Sequence, residues 1–105
     1  MHADRIFEAL ASGARRQMLR RLAQAETTTT ELVAHFPMSA PAVSRHLSVL
    51  ENAGLVASRR DGQRVLYALV RDTVIEALSG FAAELSRAAQ PEAARAKKQK
   101  QRDAI

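Results

Sequence analysis

At 105 residues the chain holds one domain's worth of sequence, and its 16 Lys and Arg against 11 Asp and Glu leave a formal net charge of +5. That length excludes a large multi-domain enzyme, and the lack of cysteine excludes a disulfide framework, a thiolate metal site and a thiol nucleophile. The charge is unevenly placed: residues 1–89 carry 11 Arg, 9 acids and no Lys, whereas residues 90–105 carry 5 bases and 2 acids.

A folded chain of this size buries roughly two-thirds of the surface its unfolded form exposes, so a partner subunit is expected to add to a modest core. Asp4, Arg5 and Glu8 interrupt what a signal peptide would need as its apolar segment, and no run is long and apolar enough to span a membrane. The expected setting is the cytoplasm, away from membranes. Aromatic residues are few, with no Trp, which argues against a reader of single strands that stacks bases on aromatic platforms.

Taken in order, Asp4–Ala11 places Ile6, Phe7, Leu10 and Ala11 on one face of a short helix. After Ser12-Gly13, residues 14–23 form a second amphipathic helix, with Met18, Leu19 and Leu22 inside and Arg15, Arg16, Arg20 and Arg21 around them. The first two of those arginines read as a solvated face, as phosphate contacts or as members of ion pairs. In the four-threonine run Thr27–Thr30, Thr28 with Glu31 makes a capping box that opens a third helix, which Pro37 ends. Ser39-Ala40-Pro41 then gives a hydroxyl cap followed by a proline in the first turn. The fourth helix carries Val43, Leu47, Leu50 and Ala53 at helical spacing, and Gly54 stands where a left-handed cap is wanted.

The period then changes. Residues 55–60 and 64–69, with Asp61-Gly62 between them, read as a β-hairpin in which Asp61 is a turn residue. A last helix is expected to start near Thr73 through a second capping box with Glu76, carrying Val74, Ile75, Leu78, Phe81, Ala82 and Leu85. The expected fold class is mainly α with a small β-hairpin: four helices, two strands and a fifth helix over residues 1–90, the order of a winged helix-turn-helix. Residues 91–105 are expected to form a basic, disordered tail that either adds non-specific DNA affinity or only solubilises.

The fourth helix turns its apolar stripe inward and leaves Ser39, Ala40, Pro41, Ser44, Arg45 and His46 on its N-terminal half for the outside. Small residues permit close approach in a major groove, and Ser, Arg and His bond base edges or phosphates. His46 is read either as such a contact or as a half-buried histidine satisfied by backbone. In the hairpin, Arg59, Arg60 and Arg64 flank the tip within reach of phosphates or a flanking minor groove. Strand alternation prevents Arg59 and Arg60 from both facing DNA.

The stretches Ala9-Leu10-Ala11-Ser12-Gly13-Ala14-Arg15-Arg16, Thr30-Glu31-Leu32 and Ser44-Arg45-His46-Leu47, the last leading to Ala53-Gly54-Leu55-Val56, carry a resemblance over residues 4–85. In them the chain resembles the ArsR-type winged-helix repressors of bacteria and archaea. The resemblance implies a symmetric dimer whose recognition helices bind an imperfect inverted repeat of double-stranded DNA and block transcription. Apolar stripes at both ends of the chain are expected to meet across the two-fold axis, through Ile6, Phe7, Leu10, Val74, Leu78, Phe81 and Leu85.

Departures from the family pattern bear on metal sensing. Where members carry Cys-X-Cys, this chain has Thr28–Val33; where others carry Asp-X-His, it has Asp72-Thr73-Val74, and no His follows residue 46. No metal and no cofactor are expected, since His2, His35 and Asp4 lack a repeated ligand spacing. Where the family usually opens its second helix with Asp-Pro-Thr, this chain has Ser12-Gly13-Ala14, in which Ser12 still caps.

The expected function is a sequence-specific repressor, with a winged-helix protein-interaction module as the alternative on the same fold. Against the alternative, the outward face of the fourth helix has no aromatic or large aliphatic anchor. An enzyme finds no catalytic grouping and no glycine-rich phosphate loop. The residues leave open what relieves repression: a small molecule between the terminal helices, a competing protein, or no effector at all.

Overall fold

The computed structural model describes residues 2–89. They form helices α1 (His2–Leu10), α2 (Gly13–Gln24), α3 (Thr29–His35), α4 (Ala40–Asn52) and α5 (Arg71–Ala89), with strands β1 (Thr27–Thr28), β2 (Val56–Asp61) and β3 (Arg64–Leu69). The chain divides into two compact units between Ile75 and Glu76. The anticipated tail, residues 91–105, lies outside the described residues, and the anticipated boundary after residue 90 falls at their limit.

In the first unit, α4 packs against α1, α2, α3 and β2. The core it shares with them includes Ile6, Met18, Leu22, Leu32, Val43, Leu47, Leu50, Leu55 and Leu66. Val43, Leu47 and Leu50 are all 0 % exposed, and full burial of one such side chain contributes about 1.5–3 kcal/mol. Their spacing fixes the rotation of α4 about its axis, and with it the residues left facing solvent.

Local signals set the ends of the helices. Ser12 accepts from the Arg15 N–H at 3.3 Å and Ser39 from the Ala42 N–H at 3.3 Å, each as the cap of the helix that follows. At the far end of α4, Gly54 takes φ +78°, the Gly54 N–H donates to Glu51 O at 2.9 Å and the Leu55 N–H to Leu50 O at 2.9 Å. This pair of bonds is a Schellman motif, which needs the left-handed residue that glycine supplies. The Leu55 carbonyl in turn accepts from the Val70 N–H at 2.8 Å, so the residue that closes the helix also holds the end of the hairpin.

The sheet differs from the expected two-stranded hairpin. It has three antiparallel strands in the order β1-β3-β2, with Thr27 opposite Tyr67 and Thr28 opposite Leu66. Two threonines are too few to give a period-2 signal, but they are β-branched and both are buried. The capping box also differs in one arm. Thr28 Oγ1 accepts from the Glu31 N–H at 3.2 Å as expected, whereas the Glu31 carboxylate accepts from the hydroxyl of Thr27. A buried hydroxyl, 2 % exposed as a residue, is thereby satisfied.

Two further boundaries move. Asp61 is the last residue of β2, opposite Arg64, so the two-residue loop is Gly62-Gln63 rather than Asp61-Gly62. Only Gly62 has positive φ, +67°, the pattern of a type II′ turn with glycine first. Helix α5 begins at Arg71, two residues before the expected cap at Thr73. Arg71 Nη2 donates to the Ala23 carbonyl at the end of α2, 3.2 Å away.

In the second unit α5 continues to Ala89, with Leu78, Phe81 and Leu85 exposed at 47 %, 46 % and 55 %. In the first unit Ile75 is exposed and Val74 half-buried, while Ile6 is buried and Phe7 and Leu10 are half-buried. No helix among the described residues is long and apolar enough to cross a membrane.

Candidate nucleic-acid interface

Helix α3, the turn at residues 36–39 and α4 form the helix-turn-helix, and β2 and β3 form the wing. The turn is held by the Phe36 N–H donating to Leu32 O at 3.1 Å and the Met38 N–H to Phe36 O at 2.8 Å. Ser39, Ala40, Pro41, Ser44, Arg45 and Ser48 are exposed along α4. Among the described residues the Arg45 side chain makes no hydrogen bond or ion pair within the chain. The exposed face therefore offers hydroxyls, a guanidinium and two small apolar groups on a helix whose opposite side is immobilised by the core.

His46 is built differently from these residues. It is half-buried, and its Nδ1 lies 3.3 Å from Arg15 Nη1. Its pKa is lowered below the usual histidine value, first by burial and then by the positive charges of Arg15 and Arg45. Arg15 also donates from Nε to the Ala9 carbonyl at 2.7 Å and from Nη2 to the Glu8 carbonyl at 3.0 Å. Arg16 Nη1 reaches the Leu10 carbonyl at 2.7 Å. The two arginines thus bond the Glu8, Ala9 and Leu10 carbonyls at the end of α1, where Glu8 O also accepts from the Ala11 N–H at 3.2 Å. Sequence reasoning missed this role; its signal is a pair of long cationic side chains just beyond the Ser12-Gly13 break, able to fold back on the preceding helix end.

The three wing arginines are all exposed, with different surroundings. Arg59 Nη2 lies 2.6 Å from Glu26 Oε1, and Arg64 Nη2 lies 3.0 Å from Asp61 Oδ2. Arg60, between them in register opposite Val65, has no hydrogen bond or ion pair among the described residues. Ser58 Oγ donates to Glu51 Oε2 at 2.6 Å, joining the wing to the last turn of α4. Beside the wing, a cleft of about 490 Å³ is lined by Thr28–Glu31 and Gln63–Val65.

The described residues bring together no group of three or more His, Cys, Asp or Glu side chains able to hold a metal. The donors along Thr28–Val33 and Asp72–Val74 are hydroxyls and isolated carboxylates, without the thiolates or imidazoles that a zinc-type site uses.

Comparison with known proteins places this arrangement among transcriptional regulators. Residues 12–58 match the model of the bacterial regulatory protein, arsR family. The chain is 47 % identical over 66 residues to the HTH-type transcriptional regulator Rv2034 of Mycobacterium tuberculosis, covering 63 % of this chain and 62 % of that protein. It is 32 % identical over 66 residues to the transcriptional repressor SdpR of Bacillus subtilis, covering 63 % of this chain and 73 % of that one. Among solved structures, the homodimeric winged helix-turn-helix DNA-binding domain of Mb0332 from Mycobacterium bovis, a possible ArsR-family transcriptional regulator, superimposes with a TM-score of 0.67 at 28 % identity, over 84 % of this chain and 82 % of that one. The matches to three of the curated relatives cover 62 %, 52 % and 59 % of those proteins' lengths. The shared region includes α2, α3, α4 and the start of β2, and the chain belongs to the arsR family of bacterial regulatory proteins.

Proposed function

We propose that this chain is a dimeric, sequence-specific transcriptional repressor of the cytoplasm that binds an inverted repeat in double-stranded DNA. The observation that carries this reading is the outward face of α4, where Ser39, Ala40, Pro41, Ser44 and Arg45 stand exposed on a helix whose other face is fully buried. That combination suits a major groove: small residues let the helix approach, and hydroxyl and guanidinium groups bond base edges. His46 borders the face, and Arg60, which no carboxylate engages, supplies a cation to a flanking phosphate, with Arg59 and Arg64 held on the opposite face of the hairpin by Glu26 and Asp61. It also disfavours a protein-docking surface, which would want aromatic or aliphatic anchors.

Dimerisation is assigned to two patches, Phe7 and Leu10 on α1 and Val74, Leu78, Phe81 and Leu85 on α5, with Ile6 anchoring α1 in its own protomer. The homodimeric state of the Mycobacterium bovis domain supports it, as does the exposure of three large apolar side chains in the second unit. Selection of bound duplexes from a randomised pool by the purified chain tests the reading. It is expected to enrich two half-sites related by a dyad and spaced about one helical turn apart. Recovery of unenriched sequence at moderate salt overturns it.

A further inference from the structure

His46 is held by a single donor, Arg15, and that contact has a direction. A guanidinium carries only donors, so the Nδ1 that faces Arg15 Nη1 at 3.3 Å must present its lone pair. The imidazole is then neutral, with its proton on Nε2. The same guanidinium is fixed on its other two nitrogens by carbonyls of α1, Ala9 and Glu8, and its backbone N–H is fixed by the Ser12 cap. All three nitrogens of the Arg15 guanidinium thus have partners within the chain, although a surface arginine beside a DNA-binding helix would ordinarily be assigned to phosphate.

We propose that Arg15 is a positioning residue for DNA readout: by joining the C-terminal carbonyls of α1 to His46, it fixes the histidine as the Nε2–H tautomer and makes it a constitutive hydrogen-bond donor beside the reading face of α4. This rests on the DNA-binding reading above and deepens it. A His46 free to exchange tautomers would offer DNA a donor in one form and an acceptor in the other. Pinned by Arg15, it offers only a donor, which suits a phosphate oxygen or an acceptor on a base edge. The bond also relates the end of α1, assigned above to the dimer, to the middle of the reading helix. A lysine at position 15 could not do this, having one compact ammonium where three separated donors are needed.

The test has two arms, both on the full chain. In the first, imidazole 15N shifts of the free protein report the His46 tautomer without DNA. The expected result is Nε2–H in the wild type and a mixture in Arg15→Met; a wild-type ring protonated on Nδ1 overturns the inference while leaving DNA binding untouched. In the second, a duplex enriched by the wild type from a randomised pool is titrated with Arg15→Met, His46→Leu, the double variant and His46→Gln. Each of the first two should weaken binding about tenfold, and the double variant no further, because both break one connection. His46→Gln, whose amide offers both an acceptor and a donor, should recover most of the affinity. Losses that multiply to about a hundredfold in the double variant, or full affinity in Arg15→Met, overturn it. Thermal melts separate lost folding from lost positioning, and Arg15→Lys, which keeps the charge, is expected to bind as weakly as Arg15→Met. A pool from which the wild type enriches nothing overturns the DNA reading and this inference together.

Discussion

Helix α4 and the wing hold the same kind of residue for opposite reasons. The helix has one exposed arginine, Arg45, on a scaffold whose buried side admits no rotation; the hairpin has three, two on β2, where every residue after Val56 is exposed, and one, Arg64, at the exposed start of β3. Two of the three wing arginines are engaged by carboxylates of their own chain, Arg59 by Glu26 and Arg64 by Asp61. Exposed pairs of this kind contribute about 0–1 kcal/mol, so they orient more than they stabilise. The difference teaches that a count of cations is a poor guide to a reading surface. Position is conferred by burial of the opposite face, and the wing obtains it only through weaker, exchangeable contacts.

The comparison is broken most severely from the core. Leu47→Ala should cost about 2–5 kcal/mol of folding stability, seen as a lowered midpoint in denaturant, whereas Arg60→Ala should leave the midpoint within about 0.5 kcal/mol. Equal losses would mean that the wing is as firmly built as the helix. On DNA, Arg45→Ala should cost about 1–3 kcal/mol and relax preference at one base pair; a loss uniform over all duplexes would move Arg45 to a phosphate. Ser39→Ala removes the cap of α4 and should lower stability by about 1 kcal/mol, read in the same denaturation experiment.

Smaller effects sharpen the picture of the wing. Arg60→Ala should reduce the slope of log affinity against log salt by about 0.9, the share of one phosphate. Arg59→Ala should reduce it less, since Arg59 lies on the other face of β2, held by Glu26. The smallest effect is on pH. His46 has its pKa lowered by burial and by Arg15 and Arg45, so the unfolded chain takes up the proton before the folded one does. The stability this contributes is present above the unperturbed value near 6.5 and is lost as pH falls through the lower folded value. His46→Gln should flatten that part of the stability profile, measured by denaturation between pH 7 and pH 5.

Much of this was legible in the sequence because it is encoded locally. Ser12, Thr28 and Ser39 act as caps, Gly54 closes α4, and the spacing of Val43, Leu47 and Leu50 gives the buried face. What was not legible depends on residues far apart in the chain. The pairing of Thr27 with Tyr67, the reach of Arg59 to Glu26 and the bond between Arg15 and His46 have no periodic signature, since each forms only after the helices have packed. The same holds for the displaced arm of the capping box: the Glu31 carboxylate has both the Thr28 backbone N–H and the Thr27 hydroxyl within reach, and the burial of Thr27 decides between them.

The order of the sheet has a consequence for solubility. Placing β3 in the middle gives the backbone of Leu66 and Tyr67 a strand on each side. The edge left for another molecule to extend is β2, whose exposed run Ala57–Asp61 contains two arginines and an aspartate; the opposite edge, β1, is only two residues long. Charged or very short edges resist the strand-to-strand addition that starts aggregation. The arginine proposed to meet a DNA phosphate, Arg60, therefore also helps to keep the protein from sticking to copies of itself through its sheet.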